Sequence, residues 1–277
     1  MEEKSFLEKI EISADYIKKF IDFDIEIALV LGSGLGELAQ SIENPIVINY
    51  SDIPNFPIST APGHYGKLVI GEISGKNVVC MQGRFHYYEG YDAKTICYPI
   101  FVFNQLNIKK LILTNASGCL RRDWNVGDLM IIEDHIKLVS DNPLRGINYE
   151  SLGPRFFDMS KTYSSKMMKL ACACAKEINL PIRKGVYQFF SGPSFETAAE
   201  IKMASALGAD ATGMSTVFEA ITASYLKMEL LAISCLTNMA TGISETILDE
   251  NEVIEAGKKV KPQFIKLLKS IINKWEN

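Results

Sequence analysis

The chain has 277 residues, 47% hydrophobic and 22% charged, long and apolar enough for a full-sized core, which excludes a disordered chain and a small disulfide scaffold. Lys plus Arg number 29 against 33 Asp plus Glu, and the net charge of −4 comes with no basic half, so an electrostatically driven nucleic-acid partner is excluded. A small or neutral partner fits this balance.

The N-terminus, Met1-Glu2-Glu3-Lys4, lacks the basic-then-apolar profile of a signal peptide. The most apolar stretch, Ala220 to Leu236, is broken by Lys227 and Glu229, short of the roughly 18 uncharged residues that span a bilayer. A cytoplasmic enzyme with no membrane partner is therefore expected. Leu7, Ile10, Ala14, Ile17 and Ile21 step by three and four and predict an amphipathic first helix. The apolar run Ile27 to Leu31 then stops at Gly32-Ser33-Gly34-Leu35-Gly36 and reads as a buried strand entering a Gly-rich turn.

Lys67 to Ile73 and Lys76 to Gln82 flank Ser74-Gly75 and predict a hairpin. Beyond it, strand-like runs (Leu111 to Asn115, Leu129 to Ile132, Val186 to Phe190, Leu230 to Thr237) alternate with helical segments near 94–106, 164–178, 196–206 and 217–227. This alternation indicates an α/β sheet covered by helices. Asp249 with Glu252 three residues on, followed by apolar residues from Val253 to Trp275, predicts a last helix whose lysines form a solvated face. Length alone allows two domains, but no repeat, low-complexity stretch or linker divides the chain, so one domain over 1–277 is expected. Six cysteines lie in apolar surroundings without a Cys-x-x-Cys pair or a His at ligand spacing, the pattern of buried, reduced thiols. No metal site is expected.

Six segments carry chemistry. In Gly32-Ser33-Gly34-Leu35-Gly36 the third glycine falls too early for a dinucleotide fingerprint, and no Gly-Lys-Ser/Thr follows for a nucleotide P-loop. An anion-facing turn and a plain strand-to-helix turn both fit it. Gln82-Gly83-Arg84-Phe85-His86-Tyr87-Tyr88-Glu89-Gly90 follows an apolar strand; if the strand runs on, Arg84, His86 and Tyr88 share one face, whereas a surface loop with a solvated Arg is the alternative. Thr114-Asn115-Ala116-Ser117-Gly118 is a small-residue turn suited to close ligand approach. Ser215 precedes Thr216-x-x-Glu219, a capping box whose helix N-terminus favours a negative group. Ser191 to Thr197 sets Phe195 and Glu196 in the first turn of a helix, for stacking and hydrogen bonding or merely for capping, and Asn238 offers an amide donor and acceptor at the end of a strand.

Taken in order, these segments, with Pro62-Gly63-His64, Asn142-Pro143-Leu144-Arg145-Gly146, Gly213-Met214-Ser215-Thr216 and Thr237-Asn238, resemble the trimeric purine nucleoside phosphorylases, a family that includes the methylthioadenosine phosphorylases. The resemblance implies a single α/β domain with a mixed, partly barrel-like sheet surrounded by helices, assembled as a homotrimer. The implied activity is reversible phosphorolysis of purine ribonucleosides and deoxyribonucleosides, inosine and guanosine, to free base and the sugar 1-phosphate, in purine salvage. It requires no cofactor, only phosphate as co-substrate.

By position, the resemblance assigns phosphate to Ser33, His64, Arg84, His86, the Ala116 backbone and Ser215. Tyr88 and Met214 would meet the ribose, with Phe156 reaching a neighbouring subunit's site. Phe195, Glu196 and Asn238 would hold the base, and Asn238, Glu196 and His86 would carry the catalysis. Glu250 stands where many members have a His that touches the ribose 5′-hydroxyl, so a bond to that hydroxyl and a solvent-facing carboxylate are both open. Asn238 favours 6-oxopurines over 6-aminopurines. With Glu250 it also argues against the nearest alternative, a methylthioadenosine phosphorylase; a nucleoside-binding protein without catalysis would have no need of Arg84 and His86.

Overall fold

The computed structural model describes residues 5–32, 34–244 and 250–276, with side chains left out for 250–254. The first helix, α1 (Phe6–Lys18), is opened by Ser5, which exchanges bonds with Glu8 in a capping box, and buries Ile10, Ala14 and Ile17 as the spacing predicts. Ile21 lies beyond its end. Ser13 is buried too, because its hydroxyl lies 2.7 Å from the Tyr98 hydroxyl on a later helix.

The strand β1 (Ile27–Val30) is buried at every residue. β2 (Glu43–Asn49) was not foreseen: Pro45 reads as a strand breaker, and it is tolerated because β2 is an edge strand whose pairing with β3 is irregular between Glu43 and Ile46. β3 (Lys67–Ile73) and β4 (Lys76–Gln82) form the expected hairpin, with Ser74 and Gly75 both at positive φ in its turn. The predicted helix near 94–106 divides into α2 (Ala93–Ile96) and α3 (Tyr98–Gln105). Then come β5 (Lys110–Cys119), β6 (Leu129–Lys137), α4 (Ser165–Glu177), β7 (Ile182–Phe189), α5 (Ala198–Ala206), the short β8 (Ala211–Gly213), α6 (Val217–Tyr225), β9 (Glu229–Met239) and α7 (Glu250–Lys274). The proposed start signal of α7 at Asp249 lies outside the described residues.

The described strands form one mixed nine-stranded sheet in the order β2-β3-β4-β1-β5-β8-β7-β6-β9, and β9 pairs back onto β5. The second part is thus a closed barrel, and the first an open extension, which makes the sheet of this single α/β domain more fully closed than expected. The helix-covered core is apolar on both sides of the sheet, and one side is sealed by Phe264, Leu267 and Ile271 of the last helix and by Trp275 just beyond its end. The cysteines are unpaired, and all but the half-buried Cys172 are inside, where burial pushes the thiols of Cys80, Cys97, Cys119 and Cys235 up. Among the described residues no helix is long and apolar enough to cross a membrane.

One strand positions everything that follows. On one edge β5 pairs with β9 along its whole length, but its other edge is shared: β1 takes Lys110 to Leu113 and β8 takes Gly118 and Cys119. Between them, from Thr114 to Ser117, the sheet divides. Such switch points are where open α/β sheets leave room for a ligand.

Candidate active site

At this division the chain leaves β1 through Gly32, whose amide donates to Thr114 Oγ1 at 3.0 Å. A Cβ on Gly32 would come within 2.6 Å of the Asn115 backbone, so only glycine allows β1 to run this close to β5. Ser33 lies outside the described residues.

Arg84 enters the same gap and is 1% exposed. Its Nε donates to Glu219 Oε1 at 3.2 Å, while Nη1 donates to the Thr114 carbonyl (2.7 Å) and the Ser215 hydroxyl (3.1 Å). Nη2 sits 3.2 Å from Glu219 Oε2, within ion-pair range, but the alignment does not make a hydrogen bond. The buried fork therefore keeps a donor without a hydrogen-bond acceptor on a group that lines a cavity, which is the need an anion meets.

The expected helix N-terminus lies opposite. Glu219 accepts from the Thr216 amide at 2.9 Å, and Thr216 adopts φ +73°, a costly conformation for a β-branched residue. Asn115 Nδ2 donates to Thr216 Oγ1 and Ser234 to Asn115 Oδ1, at 2.8 and 2.7 Å, which ties the strained turn to β5 and β9.

Arg84, His86 and Tyr88 all line the cavity, but not by strand alternation. The strand stops at Gln82; Gly83 takes φ +120°, and a helical turn over Tyr87–Glu89 lays the Tyr88 ring parallel to His86 at 4.7 Å. Glu89 Oε1 accepts from the His86 amide (2.7 Å) and lies 3.0 Å from Nδ1, so Nδ1 carries the proton. Burial disfavours the Glu89 charge, yet the bonds from His86 and Thr60 outweigh it and bring the carboxyl down to about 2. His64 stands behind this wall: its Nδ1 accepts from the Arg84 amide at 2.7 Å and its ring meets His86 edge-on at 4.9 Å. Burial, then His86 and Arg84, push it down to about 3, so it is a neutral acceptor.

The far end of the cavity is built for a flat group. Phe195 is 46% exposed and Glu196 only 7%, and both precede α5 instead of lying in its first turn, because the Thr197–Glu200 capping box claims the helix start. Glu196 Oε1 accepts from the Thr212 hydroxyl on β8 at 2.9 Å. Burial is the main cause that raises this carboxyl above its ordinary value. Met214 packs over Gly192, where a Cβ would meet its sulfur at 2.4 Å, and lines the cavity between the two ends.

Asn238 lies inside β9, next to a bulge at Thr237 that shifts the register to β5, a device that re-aims side chains. Its amide lines the cavity, with Oδ1 accepting from Thr237 at 3.2 Å and Nδ2 donating to the Met239 carbonyl at 3.1 Å. Ala116, Ser117 and Gly118 form the floor.

One pocket thus gathers Arg84, His86, Tyr88, Ala116, Phe195, Glu196, Met214, Ser215 and Asn238, from five segments of sequence. The sequence profile of the phosphorylase superfamily matches residues 26–273. The chain belongs to the purine nucleoside phosphorylase family. It is 47% identical to purine nucleoside phosphorylase 1 of Bacillus subtilis over 269 residues, covering 97% of this chain and 99% of that protein. It is 49% identical to purine nucleoside phosphorylase 1 of Geobacillus stearothermophilus, covering 95% and 96%. The structure of Schistosoma mansoni purine nucleoside phosphorylase in complex with adenosine superposes with a TM-score of 0.93 at 37% identity, covering 98% of each chain.

One expected residue stands apart in the described chain. Phe156 is 89% exposed and lines a separate hollow with Asp134, His135 and Phe157. Glu250 begins α7, but its side chain lies outside the described residues. Four residues that sequence reasoning passed over support the site: Thr114, Glu89, Glu219 and Thr212. Glu219 was visible as the last member of a capping box, though not as the partner of an arginine 135 positions earlier. Among the described residues no group of three or more His, Cys, Asp or Glu converges on a point where a metal would sit.

Proposed function

We propose that this chain catalyses reversible phosphorolysis of purine ribonucleosides and deoxyribonucleosides, with inosine and guanosine preferred. The observation that carries this reading is the pairing, in one pocket, of a buried guanidinium with an unsatisfied donor and a carboxylate–amide pair suited to a purine edge. Phosphate sits against Arg84, His86, Ser215 and the Ala116 amide, with His64 behind it, and the family resemblance assigns Ser33 to the same anion. Tyr88 and Met214 contact the ribose.

A phosphate oxygen attacks C1′ as the C1′–N9 bond breaks, and the electron pair leaves with the base. Positive charge on the sugar is answered by the phosphate. Negative charge on the purine is met by the Asn238 amide at N7, while Glu196 accepts from N1–H and orients the ring against Phe195. His86, with its Nδ1 proton held by Glu89, presents Nε2 to the anion. Phosphate is the co-substrate, and no cofactor takes part.

The exposed Phe156 supports a homotrimer in which this ring closes the ribose side of a neighbour's pocket. Sizing in solution is expected to give three copies of the 30.9 kDa chain. The deciding experiment follows hypoxanthine release from inosine with and without phosphate. Release that depends on phosphate and yields ribose 1-phosphate supports the reading, and equal release without phosphate overturns it.

A further inference from the structure

The base end contains a bond whose effect reaches beyond packing. Thr212 is 2% exposed on β8, and its two branches point to different neighbours. The methyl group lies 3.3 Å from the position a Cβ on Gly118 would take, a place also 3.3 Å from Asn238 Nδ2. The hydroxyl has one proton, and it is spent on Glu196 Oε1 at 2.9 Å. A hydroxyl that donates to a carboxylate favours its charged form and fixes the plane of the group.

We propose that Thr212 is a specificity-determining positioning residue: its hydroxyl fixes Glu196 as a pure hydrogen-bond acceptor, so that the pocket selects 6-oxopurines, which carry a proton on N1, over 6-aminopurines, which do not. This inference rests on the assignment of Glu196 to the base. A protonated Glu196 would instead donate to the bare N1 of a 6-aminopurine, so the charge state of this carboxyl decides which base edge is read.

Burial and the nearby Glu200 raise the Glu196 carboxyl, while its own backbone amide and Thr212 oppose them. Among the described residues, the titratable groups facing it are Glu200 on α5, Tyr187 on β7 and, across the pocket, Arg84, His86 and Tyr88. Acceptor function requires the charged form and is lost as pH falls through the carboxyl's pKa. Removing the Thr212 bond moves that loss to higher pH.

The test compares Thr212→Val, Thr212→Ser and Glu196→Gln in kcat/KM for inosine and adenosine across pH. Thr212→Val is expected to move the acid limb for inosine up by roughly half to one pH unit, the size of one lost hydrogen bond to a carboxylate. It should also raise the adenosine-to-inosine ratio several-fold at the acid end, mainly through KM. Thr212→Ser should restore both. Should Thr212→Val not fold, Thr212→Ala carries the same expectation. A profile that keeps the wild-type limb, or a loss equal at all pH that Ser does not rescue, overturns the inference. Glu196→Gln separates the two layers: if it retains full inosine activity, the assignment of Glu196 to the base fails, and if it loses that activity while Thr212→Val changes nothing, only the role of Thr212 fails.

Discussion

At the Arg84 end of the pocket the guanidinium is 1% exposed and shares bonds with Glu219, Thr114 and Ser215, whereas at the other end Phe195 is 46% exposed beside the buried polar pair of Glu196 and Thr212. The contrast follows from what each end has to do. On the proposed reading the Arg84 end takes phosphate, whose shape and charge do not vary, so a rigid, buried set of partners suits it. The other end would take the base, and an open aromatic face with a few polar atoms suits selection among purines. Rigid electrostatics at one end and accessible recognition at the other would let one pocket stabilise charge on both sides of a breaking bond.

Substitutions at the two ends should therefore differ in kind. The largest effect is expected from Glu219→Gln, which leaves Arg84 charged and buried without its counter-ion. Unfolding in denaturant should show a loss of about 3–5 kcal/mol, with a raised KM for phosphate. An unchanged stability would mean that Glu219 does not hold the anion end together.

Next is acid sensitivity, again a property of the rigid end. His64 falls from its ordinary 6.5 to about 3 on folding, so protons bind the unfolded chain preferentially and stability is lost as pH drops below about 6.5. Between pH 7 and pH 5 this one residue accounts for about 2 kcal/mol. Glu89, lowered to about 2, adds a loss with the same sign only below its ordinary 4.5. Stability curves of wild type and His64→Asn should therefore converge at acid pH; parallel curves would contradict the neutral state assigned to His64.

At the open end, Phe195→Ala should leave folding nearly intact and weaken base binding by roughly 1–3 kcal/mol, the range for one base stacked on an aromatic ring. The readout is KM for inosine, with KM for phosphate unmoved. The smallest expected change is in selectivity: Asn238→Asp should raise kcat/KM for adenosine relative to inosine by about tenfold, or about 1.4 kcal/mol. A ratio that does not move would remove Asn238 from the base site.

The same two ends differ in how far they could be read from sequence. Local signals named segments that line one pocket: Gly32 after β1, the run from Gln82 to Gly90, the small residues from Asn115 to Gly118, which lie within β5 and do not form the expected turn, and Asn238. They worked because strand ends and tight turns have short-range chemistry. The reasons were less secure than the residues. Arg84, His86 and Tyr88 do share a wall, but through a positive-φ glycine and a helical turn.

What stayed hidden was long-range. β8 is three residues long and carries no periodic signal, yet it brings Thr212 to Glu196 and closes the barrel. β2 was masked by Pro45, which only an irregular edge position tolerates. Glu219 reads as an ordinary capping-box carboxylate and Glu89 as one more polar residue of the run after β4, and only the folded chain gives them Arg84 and His86 as partners.

The placement of two different ligands at the two ends is tested most directly by a crystal structure of the chain with phosphate and hypoxanthine bound. The account predicts phosphate density within hydrogen-bond distance of Arg84 Nη2, Ser215 and the Ala116 amide, with the base against Phe195 between Glu196 and Asn238. Phosphate away from Arg84, or a base bound without contact to Glu196 and Asn238, would contradict it.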